Sequence, residues 1–174
     1  MARLFTGIGL PSPVVHQLAA LQPLPMPGMK LVKPEQMHLT LHFIGEGDVD
    51  LYRLALEGLR VPGFTMTIDT LGQFANRQGT ILWAGIREVP ELMLLHKTME
   101  TALVSVGYRP ERRAYHPHLT LARCDHRVPR KVVEAFVAQR LEPMEEQVEE
   151  VVLFSSVLND KGPRYMREGL VRLE

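Results

Sequence analysis

The sequence predicts an α+β fold built from two similar lobes related by a pseudo-twofold axis, and three observations carry that expectation. The tetrapeptide His38-Leu39-Thr40-Leu41 recurs as His118-Leu119-Thr120-Leu121, each copy inside a strand-like run. Around each copy the order strand, helix, motif strand, helix, strand repeats in both halves. Finally, 174 residues suffice for one well-buried core or for two small lobes sharing an interface, so residues 1–174 are expected to form a single bilobal domain.

Leu4, Thr6, Ile8 and Leu10 alternate with Arg3, Phe5, Gly7 and Gly9, the period of a strand that stops at Pro11. Ser12 is placed to cap a helix with Pro13 in its first turn and Val14, Leu18 and Leu21 on one face. Pro23, Pro25, Pro27 and Gly28 end it, and the first motif strand runs through His42, Phe43 and Ile44 to a turn at Gly45 and Gly47. Asp48 is a candidate cap for a second helix presenting Leu51, Leu54, Ala55 and Leu59, after which Phe64, Met66 and Ile68 mark another strand. Gly72 to Gly79 reads as a polar loop and Thr80 to Ile86 as a strand around Trp83. A helix over Pro90 to Val106 places Leu92, Leu95, Met99, Ala102 and Val106 at helical spacing, with Gly107 as its stop. Beyond the second motif come a helix from about Pro129 to Gln139 and a strand from Val148 to Leu158. Asn159 to Gly162 then forms a hairpin turn into a last strand from Arg164 to Leu173.

Composition narrows the function. Twenty basic and twenty acidic side chains cancel to a formal charge of +0, so no global field holds a long nucleic acid by counterion release. Cys124 has no disulfide partner in the chain and suits a reduced compartment. No signal-like start and no apolar run approaching the roughly 20 residues of a membrane span is present, so a cytoplasmic, monomeric protein is expected. The acidic run Glu145, Glu146, Glu149 and Glu150 reads as a solvated strand edge or turn.

Strand alternation puts His38 and Thr40 on one face and Leu39 and Leu41 on the other, and the second copy repeats this. Each motif thus offers an imidazole beside a hydroxyl. With an ordinary pKa near 6.5, imidazole serves as either acid or base at neutral pH, and a pair suits phosphate-ester cleavage by one proton acceptor and one donor. The same alternation places His42 with His38 and Thr40, in a possible supporting role. It places Arg123 opposite His118, as a buried ion-pair partner or, if the strand twists or ends at Ala122, a phosphate ligand.

The runs His38-Leu-Thr-Leu-His-Phe-Ile-Gly45 and Tyr115-His-Pro-His118-Leu-Thr-Leu-Ala-Arg123 resemble the paired His-x-Thr-x motifs of the two-histidine (2H) phosphoesterases, specifically the RNA 2′,3′-cyclic phosphodiesterases, also called 2′-5′ RNA ligases. The likeness extends through Arg3-Leu-Phe-Thr-Gly-Ile and Ile81-Leu-Trp-Ala-Gly85. It implies a bilobal α+β fold whose two antiparallel sheets face a central cleft, no cofactor and no metal, and hydrolysis of RNA or nucleoside 2′,3′-cyclic phosphate ends to 2′-phosphomonoesters. Reversal would give ATP-independent 2′-5′ ligation. The resemblance implies His38 as proton donor, His118 as proton acceptor, and Thr40 and Thr120 as phosphate-binding hydroxyls. Arg123 is a further candidate phosphate ligand. The expected partners are RNA or oligonucleotide ends and small cyclic nucleotides.

Two rival readings remain at this point. His116, His118, Cys124 and His126 are zinc-competent ligands of a metal-dependent hydrolase, although their spacing fits no zinc-finger pattern and leaves the His38 copy unexplained. A non-catalytic nucleotide or RNA-end binder could use the same cleft.

Overall fold

Residues Leu4 to Ile8 are buried without a break, a pattern that requires neighbours on both edges and both faces of a strand. The computed structural model describes residues 2–174. In it the first strand, β1 (Ala2–Gly9), is central, flanked antiparallel by β3 (His38–Gly47) and β8 (Glu150–Asn159), with β9 (Gly162–Arg172) completing the order β3-β1-β8-β9. The second sheet has the order β2-β6-β5-β4-β7, from β2 (Met29–Leu31), β6 (His118–Cys124), β5 (Gly79–Ile86), β4 (Phe64–Asn76) and β7 (Met144–Val148). All its pairings are antiparallel too.

The expected duplication is visible as two β-α-β-α-β units, with α1 (Ser12–Leu21) and α2 (Val49–Leu56) in the first and α3 (Pro90–Val104) and α4 (Arg130–Val137) in the second. The lobes are not simply the two halves of the chain. The last strand of each unit leaves its own sheet and pairs with the first strand of the other: β4 lies on β5, and β8 lies on β1. Apolar residues from both sheets and from the helices join one buried cluster.

Several elements differ from their sequence expectation. Ser12 is the first residue of α1, and Pro11 is the residue that precedes it, without a side-chain cap. Asp48 does cap α2, accepting from the Leu51 N–H at 3.1 Å. The buried face of α2 is Tyr52 and Leu56, while Leu51 and Leu54 are 46% and 65% exposed. The aromatic ring, packed beside Gly47, outcompetes the leucines because it offers more area to bury. Gly45 does not end β3 but carries a positive φ of 86° inside it, at an irregularity in the β1 pairing. Most of the expected polar loop Gly72 to Gly79 is strand, because Gly72 faces Trp83 and a Cβ there would stand 2.4 Å from the indole ring. The small residue lets the large one lie across the strand. The expected strand from Val148 is two strands that break at Glu149, and the acidic stretch edges the second sheet through β7. Among the described residues, no helix is long and apolar enough to cross a membrane.

Candidate active site

Both motif strands begin with the alternation the sequence predicts and then break it at the same place. Opposite β3, Gly7 pairs with Thr40 and Thr6 with His42, so Leu41 is the extra residue of a bulge. Opposite β6, Trp83 pairs with Thr120 and Leu82 with Ala122, leaving Leu121 as the extra residue. An inserted residue reverses the faces of everything beyond it. His42 and Ala122 therefore turn into the core, and Phe43 and Arg123 turn outward.

This overturns the assigned faces of two residues. His42, 2% exposed, does not share the face of His38. Its backbone N–H donates to Thr6 Oγ1 at 3.0 Å, the Thr6 hydroxyl donates to its Nδ1 at 3.0 Å, and its Nε2–H donates to the His96 carbonyl at 3.1 Å. Burial, reinforced by the neighbouring His96 ring, pushes its pKa down to about 3. Arg123, by contrast, stands on the side of His118 and Thr120 and lines the cleft with them. It is not the buried ion-pair partner that strict alternation allowed. It pairs with no carboxylate among the described residues.

The bulge in β6 frees the Leu121 carbonyl, which is satisfied from the other unit. Leu121 O accepts from the Val32 N–H at 3.0 Å and from Gln22 Nε2, just beyond α1, at 2.8 Å.

The cleft between the sheets has a volume of about 320 Å³ and takes His38 and Thr40 from one wall and His118 and Thr120 from the other. The two imidazoles are held alike. His38 Nδ1–H donates to the Gln36 carbonyl at 2.7 Å, and His118 Nδ1–H donates to the His116 carbonyl at 2.6 Å. Each neutral ring is thereby fixed in the tautomer whose Nε2 carries the lone pair. His38 Nε2 accepts from the Thr40 hydroxyl at 2.9 Å. Rings support both: Phe5 lies 4.9 Å from His38 and Tyr165 meets it edge-on at 5.4 Å, while Phe74 meets His118 edge-on at 5.1 Å. Burial lowers the His38 pKa, and the Gln36 hydrogen bond only partly offsets this. Tyr115, from the segment before β6, donates its hydroxyl to the Thr40 carbonyl at 2.8 Å and ties the two motifs together.

Arg3, Lys30 and Arg123 line the cleft and no Asp or Glu does, so a chain without net charge concentrates positive potential where the imidazoles meet. Such a site suits a phosphoryl group flanked by a proton acceptor and a proton donor. Arg3 and Lys30 were not foreseen. Lys30 lies on a strand of only three residues with no periodicity to read, and Arg3 gains its position from pairing with β3 and β8. The four potential zinc ligands are not brought together. Cys124 is buried, His116 and His126 are exposed, and the His126 ring is turned to the Arg77 carbonyl. The converging set of potential ligands among the described residues is His42, His96 and Glu100, outside the cleft, where both ring nitrogens of His42 are already engaged.

The family model described as the 2′-5′ RNA ligase superfamily matches residues 10–160. The chain belongs to this superfamily. Among its relatives within the superfamily, an RNA 2′,3′-cyclic phosphodiesterase of Archaeoglobus fulgidus is 29% identical over 159 residues, covering 88% of this chain and 86% of the relative. Another from Escherichia coli is 32% identical over 127 residues, covering 70% and 71%. The structure of E. coli LigT complexed with 3′-AMP superposes with a TM-score of 0.80 at 27% identity, over 99% of this chain and 98% of that one. The superposition takes in both antiparallel sheets of this chain.

Proposed function

We propose that this protein is an RNA 2′,3′-cyclic phosphodiesterase, which opens the cyclic phosphate at an RNA or nucleotide end to a 2′-phosphomonoester by acid-base catalysis between His38 and His118. The observation that carries this reading is the matched anchoring of the two rings: each gives its Nδ1–H to a backbone carbonyl two residues earlier and keeps Nε2 for the shared cleft.

The ring-opening displacement needs a nucleophile and a leaving group on opposite sides of phosphorus. Rings mounted on opposite sheets supply that disposition. His118 Nε2 takes the proton of the attacking water, the new P–O bond forms, and the bond from phosphorus to the 3′-oxygen breaks. Protonated His38 gives its Nε2 proton to that departing oxygen. Thr40 and Thr120 donate their hydroxyls to the non-bridging oxygens, and the Arg123 guanidinium faces the charge that they carry. With a 5′-hydroxyl end replacing water as the nucleophile, the same proton transfers expel the 3′-oxygen and form a 2′-5′ linkage. The substrates are therefore RNA ends with a cyclic phosphate and small cyclic nucleotides.

The test is to incubate the protein with a nucleoside 2′,3′-cyclic phosphate and identify the product by phosphorus NMR. A 2′-phosphate is expected. His38→Ala and His118→Ala should each lose on the order of a hundred- to ten-thousandfold in kcat while remaining folded. A 3′-phosphate product, or full activity in both variants, would overturn the assignment.

A further inference from the structure

Lys30 and Arg123 belong to two concavities at once: the catalytic cleft and a shallower groove of about 280 Å³ on the same sheet. They are cross-strand neighbours between β2 and β6, and Arg123 pairs on its other side with Ile81 of β5, so the three side chains form a row leading out of the cleft. Beyond that row the groove is polar and is bounded by Asn76, Gln78 and Thr80 from the β4–β5 hairpin. Gly79, in the same hairpin, has a φ of +141°, and a Cβ there would stand 1.9 Å from the Cys124 carbonyl oxygen. The missing side chain lets the hairpin backbone close against the end of β6, which brings the two sides of the groove together.

The charges favour an anion. Asp125 is the one carboxylate lining the groove, and it is held by Arg127 with Nη2 to Oδ2 at 2.8 Å. Lys30 and Arg123 face it from the cleft side, and Arg77 sits in the hairpin turn next to Gln78. In a chain of twenty basic and twenty acidic residues, this outlet is positive for local reasons. A polar, cationic groove without a stacking ring suits a sugar-phosphate backbone more than a base.

We propose that this groove carries the RNA backbone immediately 5′ to the terminal nucleotide, so that the protein selects RNA ends over free cyclic nucleotides. Lys30 and Arg123 pass the chain from one concavity to the other. The assignment rests on the cyclic phosphodiesterase reading of the cleft, and the test separates the two.

The double variant Gln78→Glu/Thr80→Glu puts negative charge in the groove without touching the motif residues. Affinity is read from fluorescence anisotropy with a labelled tetranucleotide ending in a 2′-phosphate, against a labelled mononucleotide with the same end. Hydrolysis is followed in parallel on the cyclic forms. The native protein should bind the tetranucleotide about tenfold more tightly, the worth of one charge-assisted contact. That advantage should fall with salt, at a log-log slope near −0.7 for each phosphate contacted. The variant should lose both the advantage and the salt slope, with mononucleotide hydrolysis unchanged. Equal native affinity for the two ligands, or a variant that keeps the full advantage, overturns the groove. If neither cyclic form is hydrolysed while the binding pattern holds, the groove stands and the catalytic reading falls. Should circular dichroism show the double variant unfolded, Gln78→Glu alone, in the exposed turn, replaces it.

Discussion

Burial and hydrogen bonding pull the His38 imidazole in opposite directions, and burial is the larger effect. The lowered pKa matters because the proposed role requires the protonated ring. In the free protein that ring sheds its proton below the ordinary imidazole value of about 6.5, so the alkaline limb of kcat/KM should lie below it. A bound phosphate monoanion favours the imidazolium, so the alkaline limb of kcat should lie at higher pH than that of kcat/KM. Full pH profiles of both parameters decide the matter, and superimposed limbs above the ordinary value would reject His38 as the donor. Arg123 can be judged on the same substrate. An unpaired guanidinium in a cleft lined by no carboxylate should cost roughly 1.5–3 kcal/mol of transition-state stabilisation when Arg123→Ala removes it. This is about a ten- to hundredfold loss in kcat/KM, and Arg123→Lys should recover part of it. An unchanged kcat/KM in Arg123→Ala would remove Arg123 from the phosphate site.

At the level of the element, the site depends on two bulges that strict alternation cannot represent. The sequence period placed His38, Thr40, His118 and Thr120 on the faces they occupy, since all four precede the extra residue. It failed for His42 and Arg123 because a run such as Leu41-His42 or Leu121-Ala122 reads equally well in either register until the partner strand is known. The same limit explains Gly72, legible as a loop residue alone and as a strand residue once Trp83 lies opposite. A bulge also needs its freed carbonyl satisfied, and for Leu121 the donors are the Val32 N–H and the side chain of Gln22, which bonds Val32 O as well, at 2.9 Å. Gln22→Ala should therefore destabilise the fold by about 1–3 kcal/mol, a melting temperature lower by several degrees for a chain of this size. It should also lower kcat/KM by loosening Arg123. A variant with native melting temperature and native activity would show that the bulge holds without Gln22.

Across the whole molecule, the exchange of β4 and β8 between units means that neither lobe owns a complete sheet, and stability is shared. A buried His at one junction then affects the entire fold. His42 sits where β1, β3 and α3 meet, its ring stacked 4.3 Å from that of His96, and its pKa of about 3 lies far below the value near 6.5 expected in the unfolded chain. Between those two values the unfolded state binds the extra proton, so stability rises with pH through this window. The contribution is fully present above about pH 6.5, and it is lost progressively as pH falls towards the folded value. Its loss amounts to about a few kcal/mol, because the charged ring would be buried beside His96, and protonating Nδ1 also removes the acceptor that takes the Thr6 hydroxyl. His38 and His96, both lowered by burial, add to it with the same sign. Urea midpoints measured at neutral and mildly acidic pH should fall steeply for the native chain and less steeply for His42→Gln, whatever that variant's stability at neutral pH. Parallel slopes in the two proteins would show that the proton goes elsewhere.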